Sequence, residues 1–196
     1  MKTRRILVAL SLCLLVSLCN VSNAYAYNTF NQHKLTYGVG NYGKDTQHYY
    51  ITSSASGYTS YINTAMSEWV NTTSSMGVTT PISYTRTTTQ SSSRMDIYKV
   101  STVNEWWGLT TLYNGSTEVN PNNSDWVWGK IQLDGDFASL SENKRLAVIA
   151  HEMGHVMGLA HSDLNNVLMR ADIAYNSSSI SRAQANDLAG INYLYQ

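Results

Sequence analysis

Past residue 26 the chain has no cysteine; Cys13 and Cys19 both fall in the opening stretch. No disulfide can brace the body of the protein, which must rely on its core and on any bound metal. Charge is scarce too: Asp, Glu, Lys and Arg make up 13% of the chain, thirteen of each sign. Without Lys2, Arg4 and Arg5 of the opening stretch, ten basic residues face thirteen acidic ones, a net charge of −3. That is no electrostatic footprint for nucleic acid or for an anionic membrane. No internal repeat and no Pro/Gly linker divides the body, so one domain is expected over residues 27–196.

The one long apolar run, residues 6–18, follows the basic start and precedes Ala24-Tyr25-Ala26. Basic start, apolar run and small-x-small site together form the signature of a secretory signal peptide, and the run is short for a membrane span. Leu12 and Leu18 precede the two cysteines where a lipoprotein signal wants a small residue. The expectation is removal of residues 1–26, release to the extracellular space, no membrane attachment afterwards, and a monomer of about 170 residues, enough for one sizeable core.

What the body does have is Ser, Thr, Asn and Tyr, a composition suited to an extracellular surface containing β-structure. "HKLTYGVG" (33–40) alternates like a first strand, and "QHYYITS" (47–53) extends or pairs with it. In 57–73, Tyr58, Tyr61, Ile62, Ala65, Met66 and Trp69 recur at helical spacing. Residues 81–87, 94–100, 105–115 and 126–135 read as strands, the third ending in an Asn-Gly turn. Ser139 and Glu142 have capping-box spacing ahead of a helix with Leu146, Ile149, Ala150, Met153 and Met157 on its apolar face. A last helix over roughly 180–195 carries Leu188, Ile191 and Leu194 on one stripe. The order implies an α/β domain with a helical lower part. Trp106, Trp107, Trp126 and Trp128 read first as core or inter-strand packing, with the lining of a substrate cleft as the alternative, and His33 and His48 read as surface residues.

The chemistry concentrates in "HEMGHVMGLAH" (151–161), which holds three of the five histidines. Residues four apart share a helix face, so His151 and His155 can aim their imidazoles at one ion. Glu152, rotated by about 100°, flanks that ion instead of binding it, as in the His-Glu-x-x-His zinc hydrolases. Such a carboxylate can take a proton from a water and pass it to the leaving amine. Gly158 can adopt the left-handed conformation that ends helices, returning the chain so that His161 becomes the third ligand.

The stretch is similar to the His-Glu-x-x-His-x-x-Gly-x-x-His signature of the metzincin zinc peptidases. Met169, eight residues after His161, matches the methionine of their Met-turn; that spacing and Ser162 resemble the matrixin branch most. The resemblance is dense over 146–170 and looser from about 34 to 195. It implies a single metzincin-like catalytic domain of α/β class. That plan has a mixed twisted sheet, two upper helices, a Met-turn and a C-terminal helix. It implies one catalytic Zn2+ on His151, His155 and His161, Glu152 as general base, and protein or peptide substrates lying extended along "EWWGLTTLYNG". Asp134 and Asp136 resemble an acidic strand end that binds Ca2+ in some matrixins, although two carboxylates in a turn are usually just solvated.

Departures from the family pattern matter as well. With no cysteine after cleavage and little chain ahead of residue 33, thiol-capped latency is not expected, and signal removal should yield a competent enzyme. No histidine lies between His48 and His151, so the second, structural zinc of many matrixins is not expected. Ala171 and Ile173 stand where matrixins usually have Pro and Tyr, so peptide preference does not carry over. Two rivals remain open: a zinc hydrolase acting on another amide, such as a cell-wall peptide, and an exported zinc-binding module without turnover.

Overall fold

The computed structural model describes residues 27–173 and 180–196. The stretch read as a signal peptide, 1–26, lies outside the described residues. Six strands form one mixed sheet: β1 (Gln47–Ile51), β2 (Tyr84–Thr87), β3 (Met95–Lys99), β4 (Gly108–Asn114), β5 (Thr117–Glu118) and β6 (Trp128–Leu133). Their order is β2-β1-β3-β6-β4-β5. β1, β2, β3 and β6 run parallel, β4 lies antiparallel to β6, and β5 returns antiparallel along the end of β4. The short β5, not foreseen from sequence, follows the turn at Gly115 and Ser116.

Helices α1 (Thr59–Val70) and α3 (Glu142–Val156) pack over the sheet; α2 (Thr72–Met76) continues from α1, and α4 (Ala185–Tyr195) closes the lower part. α1 buries Ile62, Ala65, Met66 and Trp69, four of the residues at helical spacing. Trp69 Nε1 donates to Ala150 O at 3.0 Å, and Trp126 Nε1 to Val156 O at 2.9 Å. These two buried indoles tie α3 to α1 on one flank and to the sheet on the other. α3 is accordingly buried all round from Ala147 to Gly154, with Leu146 only half-buried.

Three boundaries differ from the sequence reading. Residues 33–40 do not form a strand. Leu35 makes an isolated parallel bridge to Trp126, the chain turns where Gly38 N–H donates to Leu35 O, and Val39 O then accepts from Ser83 N–H. The segment crosses from the β6 end to β2, so its alternation is satisfied by two buried anchors, Leu35 and Val39, and not by a ladder. Ser139 does not cap α3: the fully buried Phe137 draws 137–139 into a 3-10 turn, and Ser141 occupies the N-cap without a side-chain bond. The capping box sits instead before α4, formed by Gln184 and Asp187, so that helix begins at Ala185 and not near 180.

Candidate active site

The last turns of α3 place His151 and His155 on one face, and Met157 is the final near-helical residue. Gly158, at φ 102°, turns the chain. Leu159 N–H donates to Gly154 O and Gly158 N–H to His155 O, both at 3.0 Å, the paired bonds of a Schellman end. The positive φ is what calls for glycine; a Cβ here would also lie 2.7 Å from Leu194 Cδ1, the end of a side chain that would have to shift. The chain then doubles back and delivers His161.

The three rings converge. His161 Nε2 lies 3.2 Å from His155 Nε2 and 3.2 Å from His151 Nε2. His151 Nδ1 meets Leu168 O at 2.9 Å and His155 Nδ1 meets Leu159 O at 2.7 Å. A carbonyl only accepts, so these Nδ1 atoms carry the protons and each Nε2 presents a bare lone pair. Zn–N bonds of about 2.0–2.1 Å at a tetrahedral angle require ligand nitrogens roughly 3.3 Å apart, so the donor set fits zinc in type, and the two separations from His161 Nε2 fit it in spacing. Burial pushes the His151 pKa down to about 4. Burial and the neighbouring rings hold His155 well below its usual value, and burial lowers His161. All three are held in the neutral form that a metal needs.

Glu152 is 6% exposed. Burial pushes its pKa up to about 7, against the opposing effect of a hydrogen bond from Thr110. Thr110 Oγ1 lies 2.7 Å from Glu152 Oε2 and 3.0 Å from Glu152 O, so this hydroxyl fixes the carboxylate from β4. Met169 is buried, and a Cβ on Gly154 would collide with its Sδ. Met169 O accepts from Ser162 N–H at 2.8 Å. From α4 the Asp187 carboxylate accepts from Leu168 N–H at 2.9 Å, Met169 N–H at 3.3 Å and Gln184 N–H at 2.8 Å.

With that geometry in hand, comparison with known proteins is direct. The family model for matrixin peptidases matches residues 29–196. The chain belongs to the matrixins. No curated protein gave a significant match. Membership makes the chain a zinc metalloendopeptidase, and matrixins bind a catalytic zinc. Among the described residues of this matrixin, the triad is the only group of three or more His, Cys, Asp or Glu side chains able to share one ion.

A cleft of about 490 Å³ runs between β4 and α3, with the triad and Glu152 in its lining. Trp106 and Trp107 line it too, the alternative that the sequence left open, and Trp107 also packs against the core. The aromatic pair precedes the strand and falls at the cleft mouth, whereas Trp126 is core and Trp128 stacks on Tyr113 across strands, rings 4.5 Å apart. Ala171 and Ile173 also face the cleft.

The candidate calcium pair does not come together. Asp134 is buried, its Oδ1 taken by Asp136 N–H at 2.8 Å and its Oδ2 by Asn104 N–H at 2.7 Å and Asn104 Nδ2 at 2.9 Å, while Asp136 is exposed. Burial works against the Asp134 charge, but those donors outweigh it and hold the carboxyl below its usual range. An acceptor that takes three N–H donors acts as a loop brace, and no calcium cage is supported there.

Sequence reasoning missed three residues around Glu152 and Met169: Thr110, Gly108 and Asp187. A Cβ at Gly108 would lie 2.7 Å from Glu152 Cγ and 2.8 Å from Oε1, so the carboxylate can lie against β4 only because 108 has no side chain. Glycine inside a strand pattern signals such close approach, and that signal was present in "WWGLTT". Thr110 carried no local signal, and Asp187 only that of a first-turn acid three residues after Gln184.

Proposed function

We propose that residues 27–196 form an exported zinc endopeptidase domain in which His151, His155 and His161 hold one zinc ion through Nε2 and Glu152 is the general base. The leader pattern of residues 1–26 supports export. The carrying observation is the convergence of three neutral imidazoles, Nε2 to Nε2 3.2 Å, beside a buried carboxylate in the cleft. When bound there, zinc supplies a Lewis acid that acidifies a water and polarises the scissile carbonyl. Glu152, held by Thr110, takes the proton from the attacking water and returns it to the leaving nitrogen. β5 pairs with β4 only at Tyr113 and Asn114. From Gly108 to Thr111 the strand therefore offers backbone groups with which an extended peptide can pair as an added strand. Met169 and Gly158 act as supports, one against Gly154 of α3 and one at the turn that delivers His161.

Elemental analysis and activity assays test this. About one zinc per chain is expected, with protein hydrolysis lost to a chelator and restored by zinc. Active protein without zinc would overturn the reading. Release of wall fragments without protein hydrolysis would favour the wall-amide hydrolase, and bound zinc with neither activity would favour a binding module.

A further inference from the structure

Two of the three imidazoles are aimed by carbonyls on their far nitrogens, His151 by Leu168 O and His155 by Leu159 O. His161 is exposed, and within the described residues its side chain hydrogen-bonds only to the other two rings. Its placement is therefore left to its backbone. In the peptide that follows it, Ser162 N–H is held by Met169 O. The second partner is Asn28, 133 residues away in the chain. Asn28 O accepts from Ala160 N–H at 3.0 Å, and Asn28 Nδ2 donates to His161 O at 2.8 Å. The neighbouring residues extend the clamp. Thr29 makes an antiparallel bridge to Leu159, the residue whose carbonyl aims His155. The Phe30 ring lies 5.7 Å from the His155 ring.

We infer that Asn28 is a positioning residue for the third histidine, and that the clamp 28–30 sets the affinity of the triad for zinc. The inference rests on the triad being the zinc site. An exposed ring with no partner of its own can swing away from a metal, and each return must re-order it. Holding the 161–162 peptide at both its C=O and its N–H, and the 159–160 peptide at its N–H, restricts that freedom before the metal arrives. Partners outside the ligand shell typically change metal affinity by 10–100-fold. Substitution at 28 removes the Nδ2 bond but keeps the backbone bond to Ala160, so the lower end of that range applies.

The test is zinc affinity of the purified protein, read by competition with a fluorescent chelator, for wild type, Asn28→Ala and Asn28→Leu. Leu has nearly the shape of Asn, carries no charge and lacks the N–H. Both variants should raise the zinc Kd about tenfold and speed zinc release, with the melting temperature of the metal-free protein unchanged because Asn28 is exposed. Wild-type affinity in Asn28→Leu overturns the clamp. So does an affinity loss matched by an equal fall in metal-free stability, since that describes a general structural role. Wild-type protein that takes up no zinc overturns the metal reading itself, a distinct result.

Discussion

His151, Glu152 and His155 stand on a regular helix; His161 and Met169 stand on a segment, 158–173, that has no regular secondary structure. Both halves place their atoms definitely, but by different means. On α3 the backbone ladder fixes the spacing, so any chain with this local sequence would present the same face. Below it, position is set by bonds from far along the chain: Asp187 holds Leu168 and Met169, Asn28 holds His161, and Leu168 O and Leu159 O reach back to aim the helical histidines. The irregular half therefore orients the regular one as much as it is supported by it.

The largest effect expected from either half is on the helix. Glu152→Gln keeps size and the Thr110 contact but cannot accept a proton. It should lower the turnover rate at least roughly a hundredfold, the scale of general acid–base contributions, while zinc content and melting temperature stay close to wild type. Steady-state rates on a quenched peptide, with zinc measured on the same sample, check this. Near-normal turnover in zinc-loaded Glu152→Gln would show that the helical half supplies ligands only.

That contrast also explains what could be read from sequence. The spacing of His151, Glu152 and His155 is a local pattern of period 3.6, and the turn at Gly158 is announced by glycine itself, so the motif was legible. Most strands and α1 were legible for the same reason: alternation and helical stripes are local. The stretch 33–40 misled because alternation records burial of Leu35 and Val39, not what their backbones pair with. Asp134 and Asp136 misled because two adjacent acids look alike on paper. Only the fold shows one buried among Asn104 and Asp136 N–H groups and the other in solvent. Thr110, Asp187 and Asn28 were silent about these contacts because their partners lie 42, 18 or 19, and 133 residues away.

An intermediate effect should come from the irregular half. Asp187→Ala strips the acceptor from Leu168 and Met169 N–H, both buried, and from Gln184 N–H at the start of α4. Unsatisfied buried donors cost about 1–3 kcal/mol each, and the Met169 bond is already long, so a loss of about 2 kcal/mol in denaturant unfolding is expected. Asp187→Asn keeps one acceptor oxygen and should lose less. Hydrogen exchange sharpens the comparison: protection should fall first over 162–173 while α3 amides stay protected. Equal loss across α3 would mean that the two halves unfold as one unit.

The smallest effect is the most diagnostic, because the two halves predict opposite signs. Gly154 lies inside α3 between His151 and His155, and helix propensity alone says that Gly154→Ala should stabilise by about 0.5–1 kcal/mol. The structure says otherwise. A Cβ there would collide with Met169 Sδ and lie 3.2 Å from Met169 Cε and 3.3 Å from Trp69 Cζ2. The Met169 backbone is held by Asp187 and Ser162 and its side chain is buried, so the thioether can yield only by rotating within the packed core. Overpacking of this kind costs about 1–3 kcal/mol, so a net destabilisation of about 1 kcal/mol is expected, read as a lower denaturant midpoint at unchanged slope. The penalty should shrink when the same change is made in a Met169→Ala background, where the sulfur is gone, and that coupling assigns the cost to this contact. A raised midpoint in the single variant would show that the lower segment gives way to the helix, leaving α3 as the only rigid part of the site.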